Sequence, residues 1–157
     1  MKKYLLFFAV FTLLFSACKK TATVDPAVQA ATDDAAIKTY LAANNITATK
    51  DASGLYYQII TAGSGATASV TTTTSSTIRV AYTGILLDGT QFDTNANFTT
   101  LLSGVVQGWQ IGIPFIKPGG RIKLFIPSAL GYGSTVTGSI PANSVLIFTI
   151  DLFSVQG

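Results

Sequence analysis

The chain has 157 residues, room for one domain and a short extension, and 48% hydrophobic with 11% charged residues excludes a disordered polyelectrolyte. It holds no histidine, no glutamate and one cysteine, which excludes Ser-His-Asp and Cys-His nucleophiles, His/Cys zinc sites and an intramolecular disulfide. The net charge of +3 falls to +1 without Lys2 and Lys3, and Arg79, Lys117, Arg121 and Lys123 are scattered, so nucleic acid is excluded as a partner.

In chain order, Met1–Ala17 reads as a secretory leader: Lys2 and Lys3 supply the positive start and Tyr4–Phe15 the apolar run. That run is shorter than the about 20 residues a membrane span needs. Phe15-Ser16-Ala17-Cys18 resembles the bacterial lipoprotein lipobox, with Phe15 where leucine is usual. The resemblance implies that Cys18 becomes the lipidated first residue of the mature chain. The expected product is an exported, membrane-anchored lipoprotein on the outer membrane or periplasmic face of a Gram-negative bacterium. Residues 18–31 are Ala/Thr-rich and read as a tether.

Residues 32–50 form the expected N-terminal helical segment. Thr32 is placed as the cap of a helix over Asp33–Ala43, with two acids in its first turn. Ile37, Tyr40 and Leu41 share one face, and Asn44-Asn45 ends it. A helix that short is marginal alone and is expected to pack on its own domain.

The domain proper, 51–157, reads mainly as strands. Leu55–Ile60 is the first, and Val70–Thr77 is a β-prone Thr/Ser run. Thr77–Leu87 alternates Ile78, Val80 and Tyr82 against Arg79, Ala81 and Thr83; Asp88-Gly89 signals a hairpin and Thr90–Phe92 begins the return. A short helix is expected around Val106–Ile113, broken by Pro114. Arg121–Pro127 alternates Ile122, Leu124 and Ile126 against Arg121, Lys123 and Phe125. Val145–Phe153 is the last strand, with Leu146, Phe148, Ile150 and Leu152 on one face. The pattern is an α+β plan: an antiparallel sheet with one short helix, Tyr82, Trp109 and Phe148 meeting between them.

Five blocks in this domain carry more than periodicity. They are Val80-Ala81-Tyr82-Thr83-Gly84 with Asp88-Gly89-Thr90-Gln91-Phe92-Asp93; Val105-Val106-Gln107-Gly108-Trp109; Pro118-Gly119-Gly120 with Ile126-Pro127; Leu130-Gly131-Tyr132-Gly133; and Ile140-Pro141-Ala142-Asn143-Ser144-Val145-Leu146-Ile147-Phe148. In content and order they resemble the signature of FKBP-type peptidyl-prolyl cis-trans isomerases. The leader and helix before Ser53-Gly54-Leu55-Tyr56 look like the bacterial branch related to macrophage infectivity potentiator proteins.

The resemblance implies a strongly curved antiparallel sheet wrapped on the short helix, with a pocket between them. Carried over, Tyr82, Phe92, Asp93, Trp109, Tyr132 and Phe148 are the catalytic set, with Trp109 as the floor. Val105, Val106, Ile140 and Phe98 complete the substrate-binding wall. The Val106 N–H and the Tyr132 hydroxyl are expected to bind carbonyls beside the proline bond, and Asp93 to accept from Tyr82. No cofactor and no metal are implied. The expected partners are proline-containing unfolded or nascent exported proteins. Taken singly, Trp109 and Phe148 are better explained as core residues, burial alone explains Tyr82, Asp93 fits a loop acid, and Gly108, Gly131 and Gly133 fit turn glycines. A proline-peptide-binding chaperone module with little catalysis is the competing function.

Overall fold

The computed structural model describes residues 25–64 and 73–157. The leader, Cys18, the first half of the expected tether and the first part of the Val70–Thr77 run lie outside the described residues.

Helix α1 spans Pro26–Ala43 and begins earlier than expected, inside the stretch read as a tether. The cap is Asp25, whose carboxylate accepts from the Ala27 N–H at 2.8 Å, and Pro26 takes the first helical position. Thr32 is therefore interior, and its hydroxyl bonds back to the Val28 carbonyl at 2.9 Å. The helix ends at Asn44, followed by Asn45 in the left-handed region at φ 53°.

Six strands follow: β1 Thr49–Lys50, β2 Tyr56–Thr61, β3 Thr77–Leu86, β4 Gln91–Leu101, β5 Arg121–Ile126 and β6 Leu146–Gln156. The segment 32–50 ends, after the helix, in a short strand, because β1 pairs with β2. All pairs are antiparallel in the order β1-β2-β5-β6-β3-β4, and the return that begins at Thr90–Phe92 runs on as β4 to Leu101. Register shifts at Arg79/Val80 against β6 and at Val80/Tyr82 and Gly84/Ile85 against β4 interrupt the pairing of β3, and such bulges bend and twist a sheet into a curved one.

Helix α2, Gln107–Gly112, crosses one face of this sheet. It can lie close because its contact positions carry no side chain. A Cβ on Gly108 would stand 2.6 Å from Ile126 Cγ2, and one on Gly112 2.5 Å from Leu124 Cδ2. Between helix and sheet, Trp109, Ile113, Ile122, Leu124, Ile126, Leu146, Phe148 and Ile150 are buried in one cluster.

The opposite face is covered as well. Ile37 and Leu41 of α1 pack with Tyr56, Phe125, Val145 and Ile147 in a second cluster. Phe125 does share the face of Arg121 and Lys123, as its alternation requires, yet it is fully buried because α1 lies over it. Asp33 and Asp34, expected to serve the helix dipole, are instead tertiary contacts. Asp34 accepts from the Tyr56 hydroxyl at 2.8 Å and pairs with Lys38 and Lys50.

Candidate functional site

The site begins with Tyr82, whose place in a bulged stretch of β3 leaves its ring half-buried over α2. Around it the rings meet edge to face, the arrangement aromatic quadrupoles favour. Tyr82 and Trp109 have centroids 5.1 Å apart at 80°, and Trp109 and Phe148 5.1 Å apart at 89°. Tyr82 meets Phe98 at 5.7 Å and Phe148 at 6.0 Å. Gly84 makes room behind this group, since a Cβ there would sit 2.6 Å from the Phe92 ring and 2.8 Å from Phe148.

Above the rings lies a hollow of about 230 Å³, lined by Tyr82, Asp93, Phe98, Gly104, Val105, Val106, Trp109, Tyr132 and Phe148. Eight of the ten expected pocket residues converge there. Phe92 and Ile140 do not line it. Phe92 stands behind Phe148 at 5.4 Å and 84°, buttressing the wall. Ile140 is buried in the core beneath the rim, where it closes a bridge with Thr137. Sequence reading missed Gly104; it precedes the two valines and has no side chain by which to announce itself.

Trp109 and Phe148 are both core and floor: they are 3% and 4% exposed, yet one side of each faces the hollow. The indole Nε1 is buried without a hydrogen-bond partner among the described residues. Asp93 Oδ2 accepts from the Tyr82 hydroxyl at 2.7 Å, and Asp93 Oδ1 accepts from the Thr94 N–H at 2.8 Å. Burial, and then the Asp93 hydrogen bond, raises the Tyr82 phenol well above its ordinary pKa, so it remains a neutral donor.

Val106 is the residue immediately before α2, so its N–H stays outside the helix's own hydrogen bonds. The neighbouring Val105 carbonyl is held by Gln110 Nε2 at 2.8 Å. The Tyr132 side chain, from the loop after β5, stands at the other rim and is 38% exposed. The hollow thus pairs an apolar aromatic floor with Val106 and Tyr132 among the residues at its edge.

Residues 68–153 match the family model of FKBP-type peptidyl-prolyl cis-trans isomerases. The chain belongs to this family. It is 44% identical over 111 residues to the FKBP-type isomerase FkpA of Buchnera aphidicola from Schizaphis graminum, covering 68% of this chain and 43% of that protein. Against FkpA of Escherichia coli K12 the identity is 40% over 107 residues, covering 66% and 38%. The chain thus spans less than half the length of these curated relatives. The crystal structure of Escherichia coli FkpA superposes with a TM-score of 0.69 at 36% identity, covering 83% of this chain and 62% of that one. A peptidyl-prolyl isomerase from Pseudomonas syringae gives 0.68 at 26% identity, over 86% of this chain and 99% of that one. The expected FKBP-like α+β fold is the observed one, and four of the five sequence blocks supply residues that line the hollow. The Tyr-Thr-Gly of the first block supplies the wall tyrosine, Tyr82, and the gap for Phe92 and Phe148. The Gly-Trp of the second supplies the close helix contact and the floor.

Proposed function

We propose that this FKBP-type chain is a peptidyl-prolyl cis-trans isomerase acting on Xaa-Pro bonds of exported proteins. The observation that carries this is the hollow itself: eight expected wall residues converge on one aromatic-floored cavity of about 230 Å³. That is below the roughly 300–1,000 Å³ of drug-sized ligand pockets and suits one ring with its adjoining amide.

Rotation about a peptide bond must surrender amide resonance, a barrier of about 18–20 kcal/mol. Uncatalysed Xaa-Pro exchange takes tens to hundreds of seconds. No bond to carbon is made or broken, so the lack of histidine and glutamate is no obstacle. In the proposed mode the proline ring sits on Trp109, and the amide leaves water for a weakly polar surround. The planar amide is more dipolar than the twisted one, so that transfer disfavours the ground state more than the transition state. The Val106 N–H and the Tyr132 hydroxyl hold the flanking carbonyls. Tyr82, fixed by Asp93, completes the wall.

The test is a protease-coupled or fluorescence assay on an Ala-Leu-Pro-Phe peptide. Turnover reduced at least about tenfold by Trp109→Ala, and further by adding Asp93→Ala, is the expected result. Peptide or macrolide binding without turnover would assign a proline-binding chaperone instead, and the absence of both would remove the site. We propose further that the chain is an exported lipoprotein anchored through Cys18, of the branch related to macrophage infectivity potentiator proteins. Several acyl chains anchor stably where one binds only marginally. Palmitate labelling of cells should be lost with Cys18→Ala; unchanged labelling would refute the anchor.

A further inference from the structure

The buried stripe of α1 reads Asp33, Ile37, Leu41, one residue per turn. Two of these are ordinary packing residues. The third is a carboxylate only 2% exposed, at a position where a leucine would bury more apolar surface without any desolvation cost. Its hydrogen bonds account for it. Asp33 Oδ2 accepts from the Ser128 N–H at 2.8 Å and from the Ser128 hydroxyl at 2.7 Å, while Oδ1 accepts from Gln29 Nε2 at 2.7 Å.

Ser128 opens the short 3₁₀ turn Ser128–Leu130, whose preceding residue is Pro127 and which has no side-chain cap of its own. The turn's first N–H is therefore an orphan donor in a buried place, and Asp33 caps it from 95 residues away. From Ser128 the restraint passes on directly. The Ser128 carbonyl accepts from the Gly131 N–H at 2.9 Å and from the Gly133 N–H at 2.8 Å, the two residues on either side of Tyr132. The Gly133 carbonyl in turn accepts from the Asn143 N–H at 2.8 Å. Tyr132 is the rim residue of the hollow, and its side chain is exposed enough that packing alone fixes it poorly.

We infer that Asp33 is a positioning residue for the active site: α1 sets the Tyr132 rim by capping the Ser128 turn with a buried carboxylate. The kinetic side of this inference rests on the isomerase reading; the structural side stands without it.

The experiment compares Asp33→Asn with Asp33→Leu, each alone and with Tyr132→Ala, by peptide turnover and by amide hydrogen exchange. Asparagine can turn its carbonyl toward Ser128 and its NH₂ toward the Gln29 carbonyl after an amide flip, so Asp33→Asn should hold kcat/KM within about twofold. Asp33→Leu leaves both Ser128 donors unpaired. It should lower kcat/KM about tenfold and speed exchange at Gly131 and Gly133 at least about tenfold, with β3 and β6 amides unchanged. In the Tyr132→Ala background the same leucine should cost no more than about twofold, because the residue it positions is gone. An equal tenfold loss in both backgrounds, or unaltered exchange at Gly131 and Gly133, overturns the inference. If Asp33→Leu does not fold, Asp33→Ala, which likewise leaves both Ser128 donors unpaired, carries the same comparison. A wild-type chain without turnover would sink the isomerase reading and leave the exchange result to decide the positioning one.

Discussion

The Tyr82 phenol sits among Phe98, Trp109 and Phe148 with its hydroxyl on Asp93. Burial and that hydrogen bond raise its pKa above the usual value near 10. A group whose folded pKa is raised releases its proton first in the unfolded chain as pH climbs. Its contribution to stability is therefore complete below about pH 10 and is lost above it. Tyr82→Phe should abolish that alkaline fall, seen as a flatter urea midpoint between about pH 10 and 11, and should lower kcat/KM about fivefold through the lost hydrogen bond. An unchanged alkaline limb would place the titration elsewhere.

At the scale of elements, α2 and α1 hold the sheet from opposite sides by different means. Helix α2 sits on β5 through Gly108 and Gly112, where added carbon would overlap buried Ile126 and Leu124 side chains. Gly108→Ala should destabilise by about 1–3 kcal/mol, the usual range for overpacking, and shift Trp109 fluorescence as the floor moves. Helix α1 instead inserts side chains: Ile37→Ala should cost about 2–5 kcal/mol in denaturant midpoints, because Ile37 is fully buried against the sheet. The same helix is pinned by Asp34, which the hydrogen bonds from Lys38, then Lys50 and Tyr56, hold below the usual carboxylate range. A lowered folded-state pKa stabilises above the unfolded value, near 3.8, and that stability fades as pH falls through the folded one. Asp34→Asn should accordingly flatten the acid limb of stability below about pH 4 in thermal melts.

Across the whole molecule, one sheet serves two cores. Leu124 and Ile126 of β5 face α2, and Phe125 between them faces α1. Neither helix can leave without exposing the back of a strand the other depends on. Unfolding followed by Trp109 fluorescence, which reports the α2 side, should coincide with unfolding followed by helical circular dichroism, to which α1 contributes most. Separate transitions would mean that α1 docks as an independent unit.

The alternation of apolar residues in Thr77–Leu86 and Arg121–Ile126, the Asp-Gly turn and the ordered motif blocks are local, so the strands, the hairpin, the family resemblance and most wall residues were legible without coordinates. The helix starts at Asp25-Pro26 and not at Thr32, whose neighbouring acids imitate a first turn. Other features depend on residues far apart in the chain. Phe125 alternates like an outward residue and becomes core only because α1 covers it; Asp33 resembles a dipole-stabilising acid until Ser128 meets it. Phe92 and Ile140 belong to the right blocks, yet Phe92 packs behind Phe148 and Ile140, in a bridged loop, is buried in the core. Backbone period and turn chemistry are properties of neighbouring residues and are written in the chain itself. Burial, capping at a distance and the direction a side chain finally faces depend on what packs opposite, and only the folded structure supplies that.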